Sequence, residues 1–297
     1  MFTGLSAFPL TPLHDDVFQQ DAYARLVTRL HAAGVDSITA LGSTGSYAYL
    51  DRDERRLVAE TAVQAAGDTP VLVGIGALRT SRVQALAEDA QNAGASGVLL
   101  APVSYQKLTE DDVFGLYEDV TAGLSVPLVV YDNPGTTQFT FSDELYARIA
   151  TLPNVTSIKI PSLPAVPEHA RERVGTIRSL VPGHVTIGIS GDSAASTGLG
   201  AGCEVWYSVI GGTLPALALA LARSAQAGDA AAATAESQRL QPLWAMFASH
   251  GSLRVTAAIA EHLGLVPPAS LPRPLRGLNA ETRARVARLV DDLDLRG

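Results

Sequence analysis

Short runs of apolar and β-branched residues alternate with helical patterns eight times along most of this 297-residue chain. The runs are Leu5–Phe8, Ser37–Leu41, Val71–Ile75, Gly97–Ala101, Pro127–Tyr131, Val155–Pro161, Val185–Ile189 and Glu204–Ser208. Most are continuously apolar, as strands buried on both faces are. Between them lie helical segments such as Asp21–Ala33, stopped by Gly34, and the one after Asp51, where Asp51 and Glu54 form a capping box. Alternation of this kind implies a parallel sheet, and eight units imply a closed (β/α)8 barrel, the TIM barrel of the α/β class. An open doubly wound sheet is the competing arrangement. The turn after the first run, Pro9-Leu-Thr-Pro12, lacks the Gly-x-Gly-x-x-Gly that such a sheet would carry. From residue 225 onward no strand pattern remains. Ala230–Ser249, Leu253–Leu263 and Ala280–Leu293 read as helices, with a Pro-rich link over Pro267–Pro274. The expected organisation is a barrel over 1–224 carrying the active site and a helical region over 225–297.

The composition narrows the partners. A net charge of −8 argues against nucleic acid and anionic membrane. No uninterrupted apolar run is long enough to span a bilayer. The segment Met1–Leu5 lacks the basic and apolar regions of a secretion signal. One cysteine, Cys203, excludes an internal disulfide and fits a reducing compartment, so a cytoplasmic location is expected. Cys203 lies in an apparent strand and reads as a buried, inert thiol. Charged residues make up only 18% of the chain, so much of the surface is expected to be neutral or covered by another subunit.

One residue stands out against this background. The chain has 20 arginines but only two lysines, Lys107 and Lys159, and Lys159 lies between Ile158 and Ile160 in the sixth run. A desolvated amine can lose its proton near neutral pH and attack a carbonyl, whereas a guanidinium stays charged. Read alone, Lys159 is also a strand-end side chain reaching for water. Barrel active sites gather at the C-terminal ends of the strands. Two further features fall there: Tyr131, closing the fifth run, and the loop Gly42-Ser-Thr-Gly45 after the second. Each has a bland reading, a strand-end tyrosine and a tight turn. Together they supply a nucleophilic amine, a phenol for proton transfer, and a hydroxyl-rich loop whose backbone N–H groups suit a carboxylate. That set fits a Schiff-base enzyme acting on a 2-oxo acid.

These motifs resemble the dihydrodipicolinate synthase / N-acetylneuraminate lyase family of pyruvate-dependent class I aldolases. The likeness runs from about Gly4 to the C-terminal helices. It is most specific at Gly42-Ser-Thr-Gly45, Tyr131-x-x-Pro134, Ile158-Lys159 and Ser190-Gly-Asp192. It implies a lyase on a (β/α)8 barrel, a small-molecule 2-oxo acid and an aldehyde as substrates, no metal or organic cofactor, and a homotetramer. By the resemblance, Lys159 is the Schiff-base lysine, Tyr131 the proton shuttle, Ser43 its relay, and Thr44 with Gly45 the carboxylate-binding turn. Tyr105 matches a tyrosine lent across a subunit interface only if its loop is shifted by one residue; otherwise it is an interface side chain.

The half of the pattern that selects the second substrate departs from the family. Thr136 stands where the synthases carry an arginine that grips a carboxylate, Ser46 where the family has Glu, and Ser193 where the lyases have Glu. Cys203-Glu-Val-Trp206 replaces a Gly-rich stretch. The expected aldehyde is therefore neutral, either hydroxylated or apolar, and held by Thr136, Ser193 and Trp206. A dehydratase of a 2-oxo-3-deoxy sugar acid and a non-catalytic oxo-acid-binding protein remain as alternative readings of the same residues.

Overall fold

A computed structural model describes residues 2–295. Eight parallel strands close into a barrel: β1 (Gly4–Ala7), β2 (Ser37–Ala40), β3 (Val71–Gly74), β4 (Gly97–Leu100), β5 (Leu128–Tyr131), β6 (Val155–Ile160), β7 (Thr186–Ile189) and β8 (Val205–Ser208). They pair in sequence order, and β1 closes the ring by pairing with both β2 and β8. The chain thus forms a (β/α)8 barrel followed by helices, as its alternation implies. Among the described residues, no helix is long and apolar enough to cross a membrane.

The helices form where their signals lie. Helix α1 (Gln20–Ala33) ends at Gly34, whose φ of 78° is the left-handed conformation that a residue without Cβ adopts at least cost. Helix α2 (Arg52–Ala65) begins with the reciprocal capping box of Asp51 and Glu54, at 2.8 and 2.9 Å. Then follow α3 (Thr80–Asn92), α4 (Glu110–Thr121), a single turn α5 (Pro134–Thr137), α6 (Asp143–Ala150), α7 (Pro167–Leu180), α8 (Ala195–Gly200) and α9 (Pro215–Gln226).

The C-terminal region differs from its reading in one place. A single helix over Ala230–Ser249 is two, α10 (Ala230–Arg239) and α11 (Gln241–His250), joined at Leu240. Pro242 has no N–H to donate and its ring crowds the preceding turn, so the helix restarts with proline in its first turn. Helices α12 (Ser252–His262) and α13 (Ala280–Asp292) complete the chain. Residues of α12 and the segment after it, including Ala257, Ala260, Val266 and Leu271, pack against Leu10 and Leu26 of the barrel half. Cys203 is buried just before β8 rather than within it, and burial pushes its thiol up to about 12.

Two layers of core follow from the period of two along each strand. Leu72, Leu99, Val129, Tyr131, Val205 and Tyr207 face the barrel interior, together with Phe8. Leu128, Val130, Ile158, Ile160 and Trp206 face the surrounding helices. Polar side chains inside the barrel find partners there: Ser6 with Thr39, and Ser157 with Tyr207, both at 2.8 Å. This inward–outward alternation decides which side chains reach the mouth.

Candidate active site

Lys159 faces the barrel interior, opposite in direction to the two isoleucines beside it. Register pairs it with Tyr131 on β5 and with Gly188 on β7. What surrounds the amine is aromatic. Nζ lies 3.9 Å from the ring centre of Phe8, 4.2 Å from that of Tyr131 and 5.5 Å from that of Tyr207. Lys159 is only 3% exposed, and no hydrogen bond or ion pair to Nζ exists among the described residues. Burial pushes the amine down to about 7; the Asp192 carboxylate and the ring faces, which attract a cation, oppose that shift.

Two glycines make room for the aromatic box. A Cβ at Gly42 would sit 2.4 Å from the Phe8 ring, and one at Gly188 would sit 2.3 Å from the Tyr207 ring. The loop after β2 carries backbone strain on both sides of its glycines: Leu41 and Ser46 hold φ values of 55° and 54°, which side chains with a Cβ rarely adopt.

Tyr131 carries a hydroxyl network. It shares a 3.3 Å hydrogen bond with Ser43 and accepts one of 2.8 Å from Asn133 Nδ2. Burial raises its phenol above the ordinary value, and the bond to Ser43 opposes that rise. Next to it, Asp132 accepts from the Tyr146 hydroxyl while its Oδ1 has no partner; burial pushes this carboxyl up to about 6. On the far side of the lysine, Asp192 is buried and accepts from Trp206 Nε1 (3.1 Å), Ser208 Oγ (3.1 Å), Val209 N (3.1 Å) and Ile210 N (2.7 Å).

A cavity of about 830 Å³ opens above these residues at the C-terminal ends of the strands. Lys159, Tyr131, Ser43, Thr44 and Thr136 line it. Gly251, Ser252, Leu253 and Leu275, from the C-terminal region, form part of its wall. Four other candidates lie elsewhere. Gly45 faces away, packed so that a Cβ would meet the Leu41 backbone at 3.0 Å. Ser193 is exposed outside the cavity, because the short turn after β7 sends Asp192 inward and its neighbour out. Trp206 is fully buried against the helices, an outward position of β8, and its indole is engaged by Asp192. Tyr105 is 90% exposed on the loop after β4 and does not touch the cavity of its own chain.

The sequence reading missed Phe8, Tyr207 and Asn133. Phe8 and Tyr207 sit at strand-end positions on the inward face, so counting by two from Tyr131 and Lys159 along neighbouring strands was the available signal. Asn133 carried no pattern of its own.

Comparison with known proteins defines the class. The dihydrodipicolinate synthetase family model matches residues 1–293. A 4-hydroxy-tetrahydrodipicolinate synthase of Cellvibrio japonicus is 32% identical over 290 residues, covering 96% of this chain and 97% of its own. One from Pseudomonas aeruginosa is 32% identical over 250 residues, 83% of each chain. The solved structure of a dihydrodipicolinate synthase from Agrobacterium tumefaciens superposes with a TM-score of 0.94 at 44% identity, covering 98% of both chains. The protein is a (β/α)8-barrel lyase of the class I aldolase type. It belongs to the dihydrodipicolinate synthetase family.

The buried amine has a stability signature independent of any reaction. An unfolded lysine keeps its proton up to its ordinary value of 10.5, the folded one only to about 7. Between those values the unfolded chain binds more protons, so folding stability rises with pH across that window. Lys159→Met should therefore stabilise the protein by on the order of a few kcal/mol below pH 7, the gain shrinking as pH approaches 10.5. Urea unfolding of both proteins at pH 6 and pH 9.5 measures this. An equal gain at both pH values would show that Lys159 is not desolvated.

Proposed function

We propose that the protein forms a Schiff base between Lys159 and pyruvate or a related 2-oxo acid, and makes or cleaves a C–C bond to an aldehyde. The observation that carries this is the desolvated, unpaired amine beside the Tyr131 phenol at the floor of a cavity. The free amine attacks the ketone carbon to give a carbinolamine. Tyr131, coupled to Ser43, exchanges protons with the departing oxygen and with the methyl carbon of the imine. Thr44, nearly buried in the strained loop, is suited to hold the carboxylate. The protonated imine is itself the electron sink for the enamine, so the reading calls for neither metal nor organic cofactor.

The dehydratase reading uses the same imine, and no feature of the cavity favours it over C–C chemistry. The binding-protein reading leaves the lowered pKa of Lys159 without a purpose. Pyruvate with borohydride should leave a covalent adduct on Lys159 and not on Lys107, seen by peptide mass spectrometry. Its initial rate should rise with pH through about 7, as the ammonium that cannot attack becomes the amine that can. An adduct that survives Lys159→Arg would overturn the assignment.

For the second substrate we infer a neutral, hydroxylated aldehyde. No arginine lines the cavity among the described residues, and Asp132 would repel a substrate carboxylate when ionised. The Thr136 hydroxyl is spent on the Asn133 carbonyl at 3.3 Å. Ser162 and Ser190 lie on the cavity wall, and the Ser162 hydroxyl makes only a long bond of 3.5 Å, to the Ser190 carbonyl. A charged hydrogen-bonded pair is worth about 1.5–3 kcal/mol, so lacking it costs a carboxylated aldehyde roughly ten- to a hundredfold. In a side-by-side assay with pyruvate, neutral hydroxyaldehydes should exceed aspartate semialdehyde in kcat/KM. A semialdehyde that ranks first would refute the inference.

Assembly is part of the same proposal. The exposed Tyr49, Leu78 and Tyr105 side chains and the low charge fraction suit burial between subunits, with a homotetramer as the expected state. In it Tyr105 would enter a neighbouring site. Light scattering at micromolar concentration should give an oligomer; a monomer would remove Tyr105 from the mechanism.

A further inference from the structure

We infer that Asn133 is a positioning residue for proton transfer, a fixed amide donor that holds the Tyr131 hydroxyl and stabilises its phenolate. The inference rests on the Schiff-base reading above. Asn133 Nδ2 lies 2.8 Å from Tyr131 Oη and 3.4 Å from Ser43 Oγ, so one amide group spans both hydroxyl oxygens. An amide N–H₂ only donates. With a lone pair of Tyr131 Oη held by Asn133, the phenolic proton is left to point at Ser43 or into the cavity, where the substrate oxygen would be.

The backbone explains why this amide stays in place. The Asn133 carbonyl accepts from the Thr136 and Thr137 backbone N–H groups, both at 3.0 Å. It also accepts from both threonine hydroxyls, at 3.3 and 3.0 Å. Pro134, with its fixed φ, starts the single turn α5, and Gln138 closes it at φ 57°. Asn-Pro-Gly-Thr-Thr thus forms a clamp on one carbonyl, which aims the side chain across the ends of β5 and β2. Preorganised donors are most effective in a site shielded from water, because they need no rearrangement as charge develops.

The chemical need arises when the carbinolamine collapses. The lysine nitrogen lone pair forms the C=N bond, the C–O bond breaks, and the departing hydroxyl takes the Tyr131 proton to leave as water. The products are a protonated imine and a phenolate. The phenolate then removes a proton from the adjacent methyl carbon, giving the neutral enamine and restoring the phenol. Burial makes that phenolate costly, as the raised value of Tyr131 records. An N–H donor to the anion offsets the cost and speeds the collapse that forms it.

Borohydride trapping with pyruvate reads this without the aldehyde being known. An adduct on the native protein tests the Schiff-base reading; the ratios among variants test Asn133. Asn133→Leu should slow adduct formation about ten- to a hundredfold, the worth of a hydrogen bond to a charged group. Asn133→Asp keeps the shape but replaces the donor with an acceptor, and should be at least as slow. In a Tyr131→Phe background, Asn133→Leu should change the rate less than twofold, since an effect exerted through the phenol vanishes with it. Additive losses in the double variant, or native rates in Asn133→Asp, would overturn the inference.

Discussion

The site depends on one physical circumstance: an amine held out of water by aromatic rings instead of by a carboxylate. A paired lysine would keep its proton and be inert as a nucleophile. Phe8, Tyr131 and Tyr207 crowd Nζ with ring faces while leaving it no acceptor, and Asp192, which would otherwise anchor the cation, is occupied by four donors from β8 and the turn after it. Desolvation therefore wins, and the amine titrates near neutrality. The glycines at 42 and 188 are part of the same device, since a methyl group at either would displace a ring of the box.

The second element is a hydroxyl network built from one strand end and two loops. Tyr131 is the cross-strand neighbour of Lys159, so the phenol and the amine share the inward face without any contribution from loop geometry. The hydroxyl is then oriented from the loop after β2, through Ser43, and from the turn after β5, through Asn133. The C-terminal region adds wall at Gly251–Leu253 and Leu275, so the cavity is completed by residues beyond the barrel. The boundary drawn at residue 225 falls within the last turn of α9 and does not separate the site from the rest of the chain.

Legibility of the site followed the kind of signal each residue carried. Lys159 and Tyr131 were visible because an amine among apolar residues and a tyrosine closing a strand are local anomalies. The isoleucines that drew attention to Lys159 are not what buries it; they point to the helices, and the rings of three other strands do the work. Trp206 was placed at the cavity because it stands where the family carries a Gly-rich stretch, yet its parity on β8 sends it outward. Asn133 left no trace, because an amide in a loop acquires meaning only from the two hydroxyls it meets.

The amino-acid sequence by itself determined the barrel, the order of its helices and the two anomalous residues, Lys159 and Tyr131, that meet at its mouth. Those features rest on short-range rules: period, capping, and the strangeness of a lone charge in an apolar run. The break between α10 and α11 belongs to the same category, since Pro242 announces it within a few residues. Tertiary structure alone decided which side chains face the cavity and what the lysine sees. Closing eight strands into a ring fixes every side chain as inward or outward, and it brings Phe8, Tyr131, Lys159 and Tyr207 together from distant parts of the chain. Burial of the amine, and with it the lowering of its pKa, exists only once that ring has closed.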